Sequence, residues 1–149
     1  MRLRSILCLA SGIIVAMSCA SAPRTESTAS VGAAMPGTLA RIYYWRAKPG
    51  QLDAYNRYVR DVAEPIDHEA QRRDAFLSVT TFVTRDSTLP WTHMRLFILR
   101  DSAQLAGLGA ALDAAGARLE PDSVKRRVRG EYSATLRDRV TDATVEILR

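Results

Sequence analysis

Residues 39–47 read LARIYYWRA, and Lys48-Pro49-Gly50 follows them. Ile42 is β-branched and the next three residues are aromatic, a composition that predicts a β-strand. Proline and glycine are poor strand residues, so we expect the strand to end at Ala47. The remaining elements are placed relative to this first strand.

An apolar stripe follows the strand over residues 51–73. Its members recur every three or four residues, the period of an α-helix, and they are Leu52, Tyr55, Val59, Val62 and Ile66. Pro65 lies inside this pattern, and proline lacks the N–H that a helix needs. We therefore predict a helix that kinks or ends early at Pro65.

The later segments complete a recognisable order. Residues 76–84 and 91–100 predict two strands paired as a hairpin, and Asp101 with Gln104 predicts the start of a helix that Glu120-Pro121 ends. A further helix over 122–137, with Gly130 as a candidate break, precedes a closing strand over 143–148. The order β-α-β-β-α-α-β predicts an α+β, ferredoxin-like antiparallel sheet with helices on one face.

Alternate residues of each strand point to opposite faces of the sheet. One set is almost purely apolar and is predicted to lie under the helices: Ala40, Ile42, Tyr44, Leu77, Val79, Thr81, Val83, Met94, Leu96, Ile98, Ala143, Val145 and Ile147. The other set is predicted to form the open face and includes Tyr43, Trp45, Phe76, Phe82, Phe97 and Leu99. An open face this apolar indicates an interface, and a homodimer packed sheet to sheet is its simplest cover.

The aromatic first strand, Lys48-Pro49-Gly50 and the striped helix together resemble the dimeric α/β-barrel superfamily, which includes antibiotic-biosynthesis-monooxygenase-like and NIPSNAP-like domains. The resemblance covers residues 38–149 at the level of element order. It implies a dimeric α/β barrel, but a shared fold does not fix a function.

Polar residues on the predicted open face are the candidates for ligand binding. Arg41, Arg95 and Glu146 are expected to meet across neighbouring strands and to orient a small apolar or anionic ligand. A salt-bridge cluster or a dimer contact would use the same residues. The full set of candidates is Arg41, Tyr43, Trp45, His93, Arg95 and Glu146.

The resemblance also implies an enzymatic alternative, because members of the superfamily include cofactor-independent oxygenases and haem-degrading enzymes that use Asn, Trp and His. Residues of suitable chemistry are Asn56, His68, Trp45 and Trp91, although none matches a family motif position by position. With two histidines and two cysteines, the chain is predicted to hold no metal and no cofactor.

The first residues resemble a bacterial lipoprotein signal. Arg2 and Arg4 precede an apolar run that is too short to span a bilayer, and Cys19 closes it. We predict a signal peptide over 1–18, acylation of Cys19, a tether over 19–37 and a folded domain over 38–149. Ala20 after the cysteine resembles sorting to the periplasmic face of the outer membrane. Cleavage after Ala22 is the alternative and would release the protein into the periplasm.

The net charge limits the classes of partner that the chain is expected to bind. Loss of Arg2 and Arg4 with the signal lowers the basic residues from 21 to 19 against 16 acidic ones, a net charge of +3. This imbalance is too mild to indicate a nucleic-acid-binding protein. The basic run Lys125-Arg126-Arg127, with Arg129, fits either a solvated helix face or contact with anionic lipid head groups.

Overall fold

The computed structural model describes residues 38–148, which form the predicted ferredoxin-like α+β fold. The predicted signal peptide, Cys19 and tether lie outside the described residues. The elements are β1 (Leu39–Ala47), α1 (Leu52–Tyr58), a π-helical turn (Val59–Ala63), α2 (Glu64–Gln71), β2 (Ser78–Val83), β3 (His93–Leu99), α3 (Ser102–Leu119), α4 (Ser123–Leu136) and β4 (Arg137–Glu146).

The four strands form one sheet in the order β2-β3-β1-β4, and every neighbouring pair is antiparallel. The predicted β2–β3 hairpin is confirmed, with Val79 opposite Phe97. In the centre of the sheet, Arg41 of β1 lies opposite Phe97 on one side and Thr144 on the other.

The sequence predicted that the first helix kinks or ends early at Pro65, and the structure shows that it does not end there. It continues to Gln71 through a π-helical turn in which the Glu64 N–H donates to the Val59 carbonyl, five residues back. A wider turn moves the preceding carbonyls away from the proline ring, so the helix accommodates Pro65.

Two aspartates begin the later helices. The Asp101 carboxylate accepts a hydrogen bond from the Gln104 N–H at 2.9 Å, as predicted, and the Asp122 carboxylate accepts from the Val124 N–H at 2.8 Å. Helix α4 passes Gly130 without a break.

The closing strand begins at Arg137, directly after α4, rather than at Ala143 as predicted. Its first part is polar and lies at the sheet edge, where one face is open to water, so it lacks the apolar alternation that predicts a strand. The register with β1 shifts between Tyr44 and Trp45.

The prediction of which sheet face lies under the helices is wrong for β1, β3 and β4. Phe97 and Leu99 of β3 are fully buried against Ala70 of α2 and Leu108 of α3, whereas the alternate residues of β3 lie on the open face. The assignment is correct within β2, since Val79 packs against this core and Phe82 is open, but Phe76, predicted on the open face just before β2, is buried in the core. His93 and Arg95 also lie under the helices, where polar partners offset the cost of their burial.

A second buried cluster fixes α4 to α1 on the helical side of the sheet. It consists of Ala47, Tyr55, Val59 and Leu136, with Trp45 partly buried against it. None of the helices within residues 38–148 combines the length and the apolar character needed to cross a bilayer.

Candidate functional site

Two adjoining spaces lie among the helices and the helical side of the sheet. The inner chamber has a volume of about 200 Å³ and is lined by Tyr55, Tyr58, Ala63, Ile66, Asp67, Arg95, Leu112, Asp113 and Arg137. The outer cleft has a volume of about 610 Å³ and is lined by Tyr58, Ile66, Leu112, Asp113, Ala114, Gly116, Ala117, Arg126, Arg129 and Gly130. Tyr58, Ile66, Leu112 and Asp113 line both spaces, so the two spaces adjoin.

Arg95 of β3 supplies a buried positive charge to the inner chamber. Its side chain is 10% exposed and forms an ion pair with Asp67 of α2, whose side chain is 3% exposed. The Arg95 Nε atom is buried and has no hydrogen-bond partner among residues 38–148. Burial lowers the pKa of Arg95 to about 10, so the guanidinium remains charged at neutral pH.

Arg137 places a second guanidinium at the chamber. It donates to the Tyr55 hydroxyl at 2.9 Å and to the Ser133 hydroxyl at 3.1 Å, and it lies 4.4 Å from the centre of the Trp45 ring. Burial raises the pKa of Tyr55, although the nearby Arg137 charge opposes this shift. Arg137 is therefore a positioned donor whose orientation the aromatic rings hold.

His93 sits beneath α1 and is fully buried. Its Nε2 is 2.8 Å from Asn56 Oδ1, and its Nδ1 is 2.9 Å from the Thr92 hydroxyl. An amide oxygen only accepts, so Nε2 carries the proton and the Thr92 hydroxyl donates to Nδ1. Burial, with a smaller contribution from the Arg137 charge, lowers the pKa of His93 to about 4. His93 is thus a neutral imidazole with both nitrogens engaged.

The chamber is chemically suited to holding a small polar molecule. Arg95 offers an unused donor, Tyr55 and Tyr58 supply aromatic walls, and Ile66 and Leu112 supply apolar contact. No group of three or more metal-ligating side chains occurs in the described part of the chain.

The predicted cluster of Arg41, Arg95 and Glu146 does not form. Arg41 pairs with Asp142 and donates to the Thr144 hydroxyl at 2.8 Å, whereas Arg95 pairs with Asp67. Glu146 is exposed at the sheet edge. Of the six predicted ligand-binding residues, only Arg95 lines the inner chamber, while Trp45 and Tyr43 support its surroundings through Arg137 and Phe97.

The four residues named for the enzymatic alternative are dispersed. Asn56 binds His93, Trp45 stacks on Arg137, and Trp91 contacts Tyr44. His68 is exposed on α2. Asn56 and Trp45 therefore both lie beside His93, whereas Trp91 and His68 lie elsewhere.

Asp67, Tyr58 and Arg137 were not recognised from the sequence as site residues. The π-helical turn inserts one extra residue before Asp67 and so brings it onto the buried face. The aromatic residues around Arg137 were visible in the sequence, but their contact with it depends on the register of β4 against β1.

The comparisons with known proteins bear on the fold. No protein-family model matches the chain, and a search of curated proteins finds no match. Among solved structures, HapK from Hahella chejuensis aligns at a TM-score of 0.52 with 14% identity, over 74% of this chain and 92% of HapK. At this identity the match shows a shared α+β fold alone.

Two further solved structures align less closely. A protein of unknown function, NE2512 from Nitrosomonas europaea, has a TM-score of 0.48 and 19% identity, over 77% of this chain and 93% of NE2512. PA3566 from Pseudomonas aeruginosa has a TM-score of 0.46 and 18% identity, over 77% of this chain and 96% of PA3566.

Proposed function

We propose that this chain is a cell-envelope lipoprotein whose folded domain binds a small aromatic or aliphatic molecule carrying a carboxylate or carbonyl oxygen. The inner chamber is the binding site, and the Arg95 Nε atom is the donor that recognises the oxygen. The single observation that carries this proposal is that a buried, charged donor at the chamber has no partner among the described residues.

The buried Arg95 Nε donor has lost its contact with water and has gained no partner in exchange. A buried donor without a partner costs about 1–3 kcal/mol, and more when the group is charged. An acceptor oxygen in the chamber removes that cost for Arg95. Asp67 pairs with another nitrogen of the guanidinium and leaves Nε without a partner. The volume of about 200 Å³ limits the ligand, or the part of it that enters, to a group of about the size of a benzoate.

Nuclear magnetic resonance tests this directly on the full chain. Titration with benzoate should shift the Arg95 Nε–H resonance, whereas toluene should leave it in place. The double variant Arg95→Gln/Asp67→Asn should lose benzoate binding without leaving a buried carboxylate unpaired. Arg41→Gln is the matched control, since Arg41 lies on the same sheet face with its own partners. Failure of benzoate, phenylacetate and cinnamate alike to shift Arg95 contradicts the proposal.

The lipoprotein assignment rests on the position of Cys19 after an apolar run. Radiolabelled palmitate should be incorporated into the chain expressed in a diderm bacterium, and Cys19→Ser should abolish the incorporation. The Cys8→Ser variant is the control, because Cys8 lies within the predicted signal. Equal labelling of wild type and Cys19→Ser contradicts acylation at this residue, and absence of label from the wild type favours the released periplasmic form.

The domain is proposed to act as a homodimer joined through the open face of its sheet. This face carries Ile42, Tyr44 and Leu96 at its centre and Phe82 and Val145, both 43% exposed, towards its edges. These residues replace the set that the sequence assigned to the interface. A second copy is the proposed cover because the same apolar surface on both copies is self-complementary about a two-fold axis.

A further inference from the structure

Helix α4 carries an apolar stripe that remains about half exposed in the described chain, although Tyr132 at its end also contacts the Tyr58 ring. Val124, Val128 and Tyr132 recur every four residues and are 57%, 52% and 51% exposed. The helix is held to the domain mainly through its buried Ser133 and Leu136. Residues at this spacing normally mark the packed face of a helix, so the exposed stripe is unusual.

The stripe is bordered by basic side chains. Lys125 and Arg129 form no ion pair with any residue between 38 and 148, and Arg127 pairs only with the exposed Glu131, at 2.6 Å. Arg126 donates to the Glu120 and Pro121 carbonyls. The exposed surface of α4 is therefore apolar along its centre, with the positive charge of Lys125 beside it and that of the half-buried Arg129 at the outer cleft.

The proposed dimer cannot cover this surface. Helix α4 packs on Tyr55 and Val59 on the helical side of the sheet, whereas the proposed dimer interface is the opposite side. The occupant of the stripe must therefore be something other than a second copy packed sheet to sheet.

We propose that α4 lies on the surface of a membrane that contains anionic phospholipid. Its charge complements the phosphate head groups, and its valines reach the boundary of the acyl chains while the Tyr132 hydroxyl remains at the polar interface. The proposal rests neither on acylation at Cys19 nor on the ligand proposed for the inner chamber.

A local fluorescence probe tests this in the full chain. The chain has two cysteines, so Cys8→Ser/Cys19→Ser removes every thiol, prevents acylation at residue 19 and allows Val128→Cys to be labelled with an NBD dye. Vesicles of phosphatidylcholine with added phosphatidylglycerol should shift the dye emission to shorter wavelength, and high salt should reverse the shift. The same dye at Ser87→Cys, in the exposed loop before β3, should show no shift.

Charge variants provide the second readout. Lys125→Gln/Arg129→Gln should weaken vesicle binding by about thirty-fold, because each basic residue near an anionic surface contributes about fivefold. Arg57→Gln/Arg60→Gln removes the same charge from the exposed side of the first helix and should have little effect. The proposal is wrong if the probe at residue 128 does not respond, if the probe at residue 87 responds equally, or if Val124→Ser/Tyr132→Ser leaves vesicle binding unchanged.

Discussion

His93 remains neutral because its burial and its hydrogen bonds both disfavour the protonated imidazolium. Its two nitrogens already serve Asn56 and Thr92, and burial lowers its pKa from 6.5 to about 4. Between these two pH values the unfolded chain binds a proton that the folded chain does not. The free energy of unfolding therefore falls as the pH is lowered through this interval.

We expect the wild-type domain to lose about 3 kcal/mol of stability from this one residue between neutral pH and pH 4. His93→Gln should remove that part of the acid sensitivity, and chemical denaturation at a series of pH values measures it. His68→Gln is the control, because His68 is exposed and should retain the wild-type profile. A His93→Gln profile parallel to that of the wild type contradicts the assignment.

At this scale the sequence located the polar residues but not their partners. His93 and Arg95 were predicted to be ligand-binding residues on the open face, whereas the structure buries both under the helices. Their partners Asn56 and Asp67 come from the first helix, and only the packing of that helix on the sheet brings them together. Residue type and strand alternation contain no information on that contact.

The π-helical turn is the element that brings the first helix into register with the sheet. Each residue of an α-helix advances by about 100°, so one extra residue in a turn changes which later side chains face the core. The apolar stripe predicted from the sequence continues through Val62 and Ile66, but the fully buried positions after the turn are Asp67 and Ala70.

Deletion of Asp61 should convert the turn into an ordinary α-helical turn and rotate Asp67 away from Arg95. We expect a loss of stability of about 3–5 kcal/mol, the cost of separating a buried ion pair, measured by denaturant unfolding. Asp61→Ala keeps the chain length and should be neutral, because Asp61 is exposed. Equal stability of the deletion and the substitution contradicts a role for the extra residue.

Glu69 joins α2 to α3. It accepts hydrogen bonds from Arg73 at 2.8 Å, Arg118 at 2.7 Å and Arg72 at 2.5 Å, and these arginines lower its pKa to about 2. Arg118 is on α3, so the carboxylate acts between the helices as well as within one.

Glu69→Gln should lower the melting temperature by several degrees, because three guanidinium groups lose their shared anion. Glu131→Gln, which removes only an exposed pair within α4, should change it by about one degree or less. Calorimetry at neutral pH separates the two variants. Equal effects contradict the role of Glu69 as a link between helices.

The elements themselves were largely predictable. Aromatic and β-branched runs located β1 and the hairpin, and Asp101 located the start of α3. The start of β4 was missed because Arg139 and Asp142 look like loop residues until Arg41 of β1 provides a partner for Asp142. Edge strands depend on such pairs, which a local pattern does not reveal.

For the whole molecule, the sheet has two apolar faces with different surroundings. Helices cover the face with Phe97 and Leu99, and the face with Ile42, Tyr44 and Leu96 is the proposed interface with a second copy. The sequence showed that both faces were apolar, but strand alternation alone could not identify which one the helices cover. That choice depends on how the helices fit the sheet and on burial of the two polar residues, His93 and Arg95.

Leu96→Glu should convert the proposed dimer into a monomer, because it places a charge in the centre of an apolar interface. Light scattering at micromolar concentration should then give half the mass of the parent, corresponding to an affinity at least tenfold weaker. Val128→Glu is the control, since residue 128 is an exposed apolar position on the other side of the sheet. A monomeric parent, or a variant that remains dimeric, contradicts the proposed interface.

The direct junction between α4 and β4 has a consequence for the domain as a whole. Leu136 ends the helix, Arg137 begins the strand, and no loop separates them. The guanidinium at the chamber is thus on the residue next to a helix whose far side we propose to rest on lipid. Because no loop separates the two elements, a tilt of α4 at the membrane would displace Arg137 as well. By thermodynamic reciprocity, a ligand bound at Arg137 would then change the affinity of the domain for the membrane. Membrane binding would change the affinity for the ligand by the same factor.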